Sequence, residues 1–173
     1  TFTNAPGLKP WRTQGVFDMA NSAGVSNSFK HEILRGEHQL GAATLTSRTS
    51  LTSPTTDVVK AALYNSSATI GPSTAAYTAT GEASGTGYTA GGITVTNGTT
   101  PSLDTSTGIW TPSASLVYTT VSIGPVDAVL LYNSTQSNKA IEVCTFTAQT
   151  PVAATLTLTM PANAAATALL RIA

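Results

Sequence analysis

The sequence predicts a mainly β fold: an antiparallel β-sandwich of jelly-roll or immunoglobulin-like plan, with one short N-terminal helix and an extended N-terminal arm. Two observations carry this. From residue 42 onward, apolar and polar residues alternate with a period of two in about eight short stretches separated by turn-forming clusters, the pattern of half-buried strands. Threonine and serine supply 32 and 17 of the 173 residues, so the outward faces of those strands are hydroxyl rather than charged. A helical period occurs in one place only, near the N-terminus.

The length allows one domain with a real core and a short appendage. The division expected is an arm over residues 1–25 and a sandwich domain with its helix over residues 26–173. In the arm, Pro6, Gly7, Pro10, Gly15 and Gly24 break any regular element, while Phe2, Trp11 and Phe17 are scattered without period. Large apolar groups without a core of their own are costly in water, so two readings stand: a disordered tail, or a latch whose aromatics anchor it on a partner. Met19-Ala20-Asn21 has the look of a translation start, which would make the first 18 residues an extension.

Ser26 and Asn27 are good N-cap residues. Phe29, Ile33 and Leu40 then recur at spacings of four and seven, predicting a helix over 28–35 that Gly36 stops. Lys30, His31, Glu32 and Arg35 fall off the apolar stripe and are expected on a solvated or partner-facing surface. Strands are predicted over Ala42–Ser47, Asp57–Tyr64, Gly92–Thr96, Leu116–Ile123, Ala128–Tyr132, Ala140–Thr147, Ala154–Thr159 and Ala168–Ile172. The clearest is Thr155-Leu156-Thr157-Leu158-Thr159, leucines inward and threonines outward. Clusters such as Asn65-Ser66-Ser67, Gly71-Pro72-Ser73, Asn97-Gly98, Gly124-Pro125 and Asn133-Ser134 supply the turns. Residues 74–92, interrupted by five glycines, read as a long loop with short strand pieces, and long loops in compact domains usually have work to do.

Charge is sparse and uneven. Only 9% of residues are charged, the formal net charge is zero, and between Ala61 and Asn138 there are no lysines or arginines and only Glu82, Asp104 and Asp127. No clustered basic stripe points to nucleic acid, and neutrality argues against an anionic membrane. A neutral, charge-poor chain is prone to associate, and hydroxyl-covered strands desolvate more cheaply than charged ones. Homo-oligomerisation is therefore expected. The single cysteine, Cys144, leaves no internal disulfide or cysteine zinc site, and its strand context makes it a small core residue. Neither a membrane-spanning helix nor a secretory leader is expected. Asn65, Asn97 and Asn133 open sequons that a chain so rich in Ser and Thr produces by chance.

No constellation commits the chain to catalysis. His31 and His38 flank Glu32 and Glu37, but their spacing is seven rather than the four that lets two histidines of one helix meet a zinc ion. Gly85-Thr86-Gly87-Tyr88-Thr89-Ala90-Gly91 approximates a phosphate-binding glycine pattern, yet its last glycine is one residue late and no helix follows. The carboxylates are dispersed, and no serine stands in a nucleophile elbow. Trp110, in Gly108-Ile109-Trp110-Thr111-Pro112, reads as core or interface packing rather than a sugar platform. No enzyme activity, cofactor or metal is expected.

Several segments resemble a family of small tailed-phage and prophage virion proteins: Asn27-Ser28-Phe29-Lys30-His31-Glu32-Ile33-Leu34-Arg35-Gly36, Val59-Lys60-Ala61-Ala62-Leu63-Tyr64 with Ser66-Ser67-Ala68-Thr69, Tyr77-Thr78, and Gly85 to Gly92. Leu131-Tyr132-Asn133-Ser134 and Leu170-Arg171-Ile172-Ala173 continue the resemblance, which covers about residues 19–173. The first 18 residues and a longer Leu40–Thr56 stretch depart from it. The resemblance implies a virion structural protein made in the host bacterial cytoplasm. Combined with the composition, it leads to the expectation of a decoration or cement protein on the capsid surface. Its partners would be the phage major capsid protein and copies of itself. A tail, neck or fibre-associated protein and a host-glycan-binding module are the alternatives. The residues expected at the interface are Phe2, Trp11, Phe17, Lys30, His31, Arg35 and Trp110.

Overall fold

The computed structural model describes residues 21–34, 36–41 and 57–173. Within them, one helix, α1 (Asn27–Leu34), accompanies eleven strands arranged in three sheets with every pairing antiparallel. The largest sheet has the order β1 (Gly24–Val25), β9 (Lys139–Gln149), β8 (Val126–Asn133), β2 (Val59–Tyr64), β4 (Ile93–Thr94). The second has the order β10 (Ala154–Leu158), β7 (Leu116–Ile123), β3 (Gly85–Thr86), and the third β11 (Leu170–Ile172), β6 (Thr107–Trp110), β5 (Ser102–Asp104). The mainly β, antiparallel class with one short helix is thus the one the alternation predicts.

Seven of the predicted strands are present with ends shifted by a few residues, and Ala42–Ser47 lies outside the described residues. β3 is one of the short strand pieces expected within residues 74–92; the unpredicted strands β1, β5 and β6 span two to four residues, too few for alternation to be visible. Residues 21–25, assigned to the arm by sequence, belong to the domain. Gly24 and Val25 pair with Val143 and Glu142, and buried Asn21 donates to Asp127 Oδ1 at 2.8 Å and accepts from the Ile70 amide at 3.2 Å.

Alternation distributes the large sheet's side chains over two cores. Val59, Ala61 and Leu63 of β2, with Val129 and Leu131 of β8, face Leu116, Tyr118, Val121 and Leu156 from the second sheet and Trp110 from the third. The intervening Ala62, Tyr64, Leu130 and Tyr132 point the other way, onto Ala68, Ile70 and Tyr77 of the connection that follows β2. All eight residues of β8 are consequently buried. Cys144 is a core residue of β9, as its context predicts.

β7 carries a bulge. Ala154 pairs with Val121 but Leu156 with Tyr118, so one extra residue of β7 is accommodated where Thr120 takes a φ of 51°. Thr119 and Thr120 both face outward, and Val121 and Ile123 return to the core. Strands β2 and β8 end alike, in Tyr64-Asn65-Ser66-Ser67 and Tyr132-Asn133-Ser134-Thr135. Each asparagine Oδ1 accepts the amide two residues on, at 2.9 and 3.1 Å, a turn that ends the strand. These bonds, with those of Asn97 to Gly41 N and the Asp57 carbonyl, engage all three sequon asparagines within the fold.

Candidate functional site

Of the residues expected at an interface, Phe2, Trp11, Phe17 and Arg35 lie outside the described residues. Lys30 and His31 are exposed on α1 as expected; Lys30 Nζ donates to Asn27 Oδ1 at 3.2 Å, and His31 Nδ1 donates to the Ser28 carbonyl at 2.9 Å. Trp110 must be corrected. It is 2% exposed in the core, its indole N–H donating to the Thr99 carbonyl at 3.1 Å, so it presents no face to a partner.

The His/Glu-rich stretch after α1 becomes an internal network. The Ser26 carbonyl accepts the Lys30 amide at the start of the helix. At its end Gly36, with φ of 70°, donates to the Ile33 carbonyl while Glu37 N donates to the Glu32 carbonyl, a Schellman closure. The reversed chain lays His38 against Phe29, ring centroids 4.7 Å apart, and beside Glu32. Glu32, expected on the solvated face, is therefore buried: His38 Nε2 lies 2.8 Å from its Oε2 and Lys139 Nζ 3.4 Å from its Oε1. Lys139 also pairs with Glu37, the main cause that raises its pKa.

Asn133 fixes the protonation pattern of this network. Its Oδ1 accepts the amides of Thr135 and Gln136, so its Nδ2 must be the donor, at 3.0 Å from His38 Nδ1 and 2.6 Å from Asp57 Oδ2. His38 Nδ1 is then an acceptor, and Nε2 carries the proton that it gives to Glu32. Both ring nitrogens are engaged and the side chain is fully buried, so no nitrogen is left for a substrate's proton. Asp57 is held in turn by the Gln39 amide at 2.7 Å and the Gln136 side chain at 3.3 Å. No group of three or more His, Cys, Asp or Glu able to hold a metal ion occurs among the described residues.

The glycine-rich loop belongs to a second network, centred on Glu82. Its Oε1 accepts Tyr88 OH at 2.8 Å and Gly91 N at 2.7 Å, and its Oε2 accepts Tyr77 OH at 2.6 Å. Tyr88 OH accepts the Leu63 amide of β2 at 3.0 Å, and Tyr132 OH donates to the Gly91 carbonyl at 2.8 Å. All five tyrosines of the chain feel the Glu82 charge. Tyr77 is pushed up to about 12, first by burial and then by its bond to Glu82; burial raises Tyr64, Tyr88, Tyr118 and Tyr132 as well. Gly92, with φ of 72°, passes so close to β2 that a Cβ there would stand 1.7 Å from the Ala61 carbonyl oxygen. The loop is a clasp whose Gly91 amide already holds a carboxylate, and Tyr77 is stacked on Tyr132 at 4.9 Å. Tyrosines beside a carboxylate, which a sugar platform needs, are thus spent on one another.

Leu34 and Leu103 are exposed elsewhere, and a broader exposed surface is the outer face of the β10–β7–β3 sheet. Its three strands contain no charged residue. Thr86, Thr119, Thr120, Thr155 and Thr157 are exposed on it together with Val117, and Val152 beside it is 75% exposed. The sequence pattern locates this hydroxyl face, whereas the Glu82 hub and the Asn133 junction left no local signal. Comparison of the chain with protein-family models, with curated proteins and with solved structures finds no match.

Proposed function

We propose that this protein is a non-enzymatic structural component of a bacteriophage virion, a decoration or cement protein that sits on the capsid and bridges neighbouring major capsid subunits. One observation carries the reading: a whole sheet face of Thr and Val without a charge. Such a face is cheap to desolvate against another protein and offers little to a substrate. The resemblance of the α1, β2 and β8 segments to small phage virion proteins supports the same assignment. Phe2, Trp11 and Phe17 join the contact set on the strength of the sequence.

The mechanism is linkage. A protein that binds the assembled lattice but not separated subunits stabilises the shell by mass action, and the effect is multiplied over symmetric copies. Particles lacking the protein should therefore assemble but break at a lower temperature than complete ones. Added protein should restore the breakage temperature saturably, and Trp11→Ala should require more protein to reach saturation. Depleted particles that are equally heat-resistant but lack tails, or fail to attach to cells, would replace this reading by the tail, neck or fibre alternative or the glycan-binding one.

A further inference from the structure

The three sheets have six edge strands, and five of them are short. β1, β3 and β4 have two residues each, β5 and β11 three. Shortness is a common protection against unwanted pairing, and β5 and β11 add a charge in Asp104 and Arg171. β10 is the exception. It runs for five residues, Ala154–Leu158, with neither a charge nor a proline, and β7 is its one neighbour among the described strands. The bulge in that pair places its extra residue on β7, so β10 itself runs without an insertion from Leu156 to Leu158.

The sequence of this edge is self-complementary. Thr155-Leu156-Thr157-Leu158-Thr159 reads the same in both directions, with Leu156 and Leu158 buried at 8% and 5% exposure and the three threonines exposed. Antiparallel pairing with an identical strand, centred on Thr157, sets Leu156 opposite Leu158 on the core side. On the outer side Thr155 falls opposite Thr159, and Thr157 opposite itself. Leucine meets leucine, threonine meets threonine, and no charge is buried. An isologous two-fold contact requires a surface that complements itself in this way.

We propose that β10 pairs with β10 of a second copy of this chain about a two-fold axis at Thr157, joining two three-stranded sheets into one of six strands with a continuous charge-free outer face. Pairing satisfies the outward backbone groups of the edge and doubles the area of the hydroxyl surface. The pairing is independent of where the protein works, and it is tested on free full-length protein without particles, so its outcome leaves the virion reading to its own experiment.

Sedimentation of the wild-type chain at micromolar concentrations should give a dimer. Thr157→Lys sets two ammonium groups face to face at the axis while altering only an exposed side chain of each monomer, and should halve the sedimenting mass without changing the melting curve of the monomer. Register is read by single cysteines. Opposite residues of an antiparallel pair have Cα atoms about 4.5–5.5 Å apart, within disulfide range, so Thr157→Cys should cross-link to a dimer under mild oxidation. Thr155→Cys places its thiols four residues apart along the pair, roughly 13 Å, and should cross-link at least tenfold more slowly. Wild-type protein, whose Cys144 is buried, is the blank. A monomeric wild-type chain, which would assign the edge to a different partner, overturns the proposal. So does equal cross-linking at positions 155 and 157. If Thr157→Lys fails to fold, the cysteine pair alone decides.

Discussion

In the five-stranded sheet all eight residues of β8 are buried, whereas in the smaller β10–β7–β3 sheet burial alternates, Leu116, Tyr118 and Val121 inward and Val117, Thr119 and Thr120 outward. The large sheet carries the charged residues Lys60, Asp127, Lys139 and Glu142, whereas the small one carries none. They differ in what lies over the second face. The large sheet is covered by the connection after β2, whose Ala68, Ile70 and Tyr77 complete a second core and which Glu82 and the tyrosine hydroxyls hold in place. Among the described residues nothing comparable covers the small sheet. The two sheets thus differ in cover: one is closed by its own loops, and the other keeps one face exposed among the described residues.

That division is broken most severely at the junction closing the large sheet. Asn133→Asp sets a carboxylate against Asp57 and removes the donor to His38, and should cost about 3–5 kcal/mol by analogy with a buried charge left without its partner. Chemical denaturation of the purified variant measures it. Leu130→Ala empties a fully buried position in the second core and should cost about 2–5 kcal/mol, seen as a large fall in melting temperature. A mild effect of Leu130→Ala would mean that the second core is not what holds the large sheet, and a mild effect of Asn133→Asp that the junction is not.

Glu82→Ala tests the clasp and should cost about 1–3 kcal/mol, because two phenols and the Gly91 amide lose their acceptor. Tyr77 should then titrate below about 12, while burial, the larger cause, still holds it above its ordinary value, and phenolate absorbance reports the fall. The same shift predicts alkaline sensitivity. Tyr77 holds its proton more tightly in the fold than in the unfolded chain, so its contribution is whole below about pH 10 and is lost as the pH rises to about 12. Glu82→Ala should blunt that loss. The smallest effect belongs to the open face: Thr119→Ala should change stability by less than about 0.5 kcal/mol, since the side chain is exposed, and a melting curve that moved further would show the face to be already closed.

The sequence by itself determined the class of fold, the helix with its glycine stop, the inward and outward residues of β10, and the charge-free face. Each of these is written in a local period or in the conformational preference of one residue, and neither needs a distant partner. Only the tertiary structure decided that β8 is buried on both sides, that Glu32 turns inward and that Trp110 belongs to the core. It also decided that Glu82 gathers the tyrosines. These outcomes rest on contacts such as His38 with Asn133, 95 residues apart, and Asp57 with Asn133, 76 apart. A hydrogen bond spanning such a separation leaves no periodic trace, because what buries a side chain there is the element that arrives over it and not its place along its own strand.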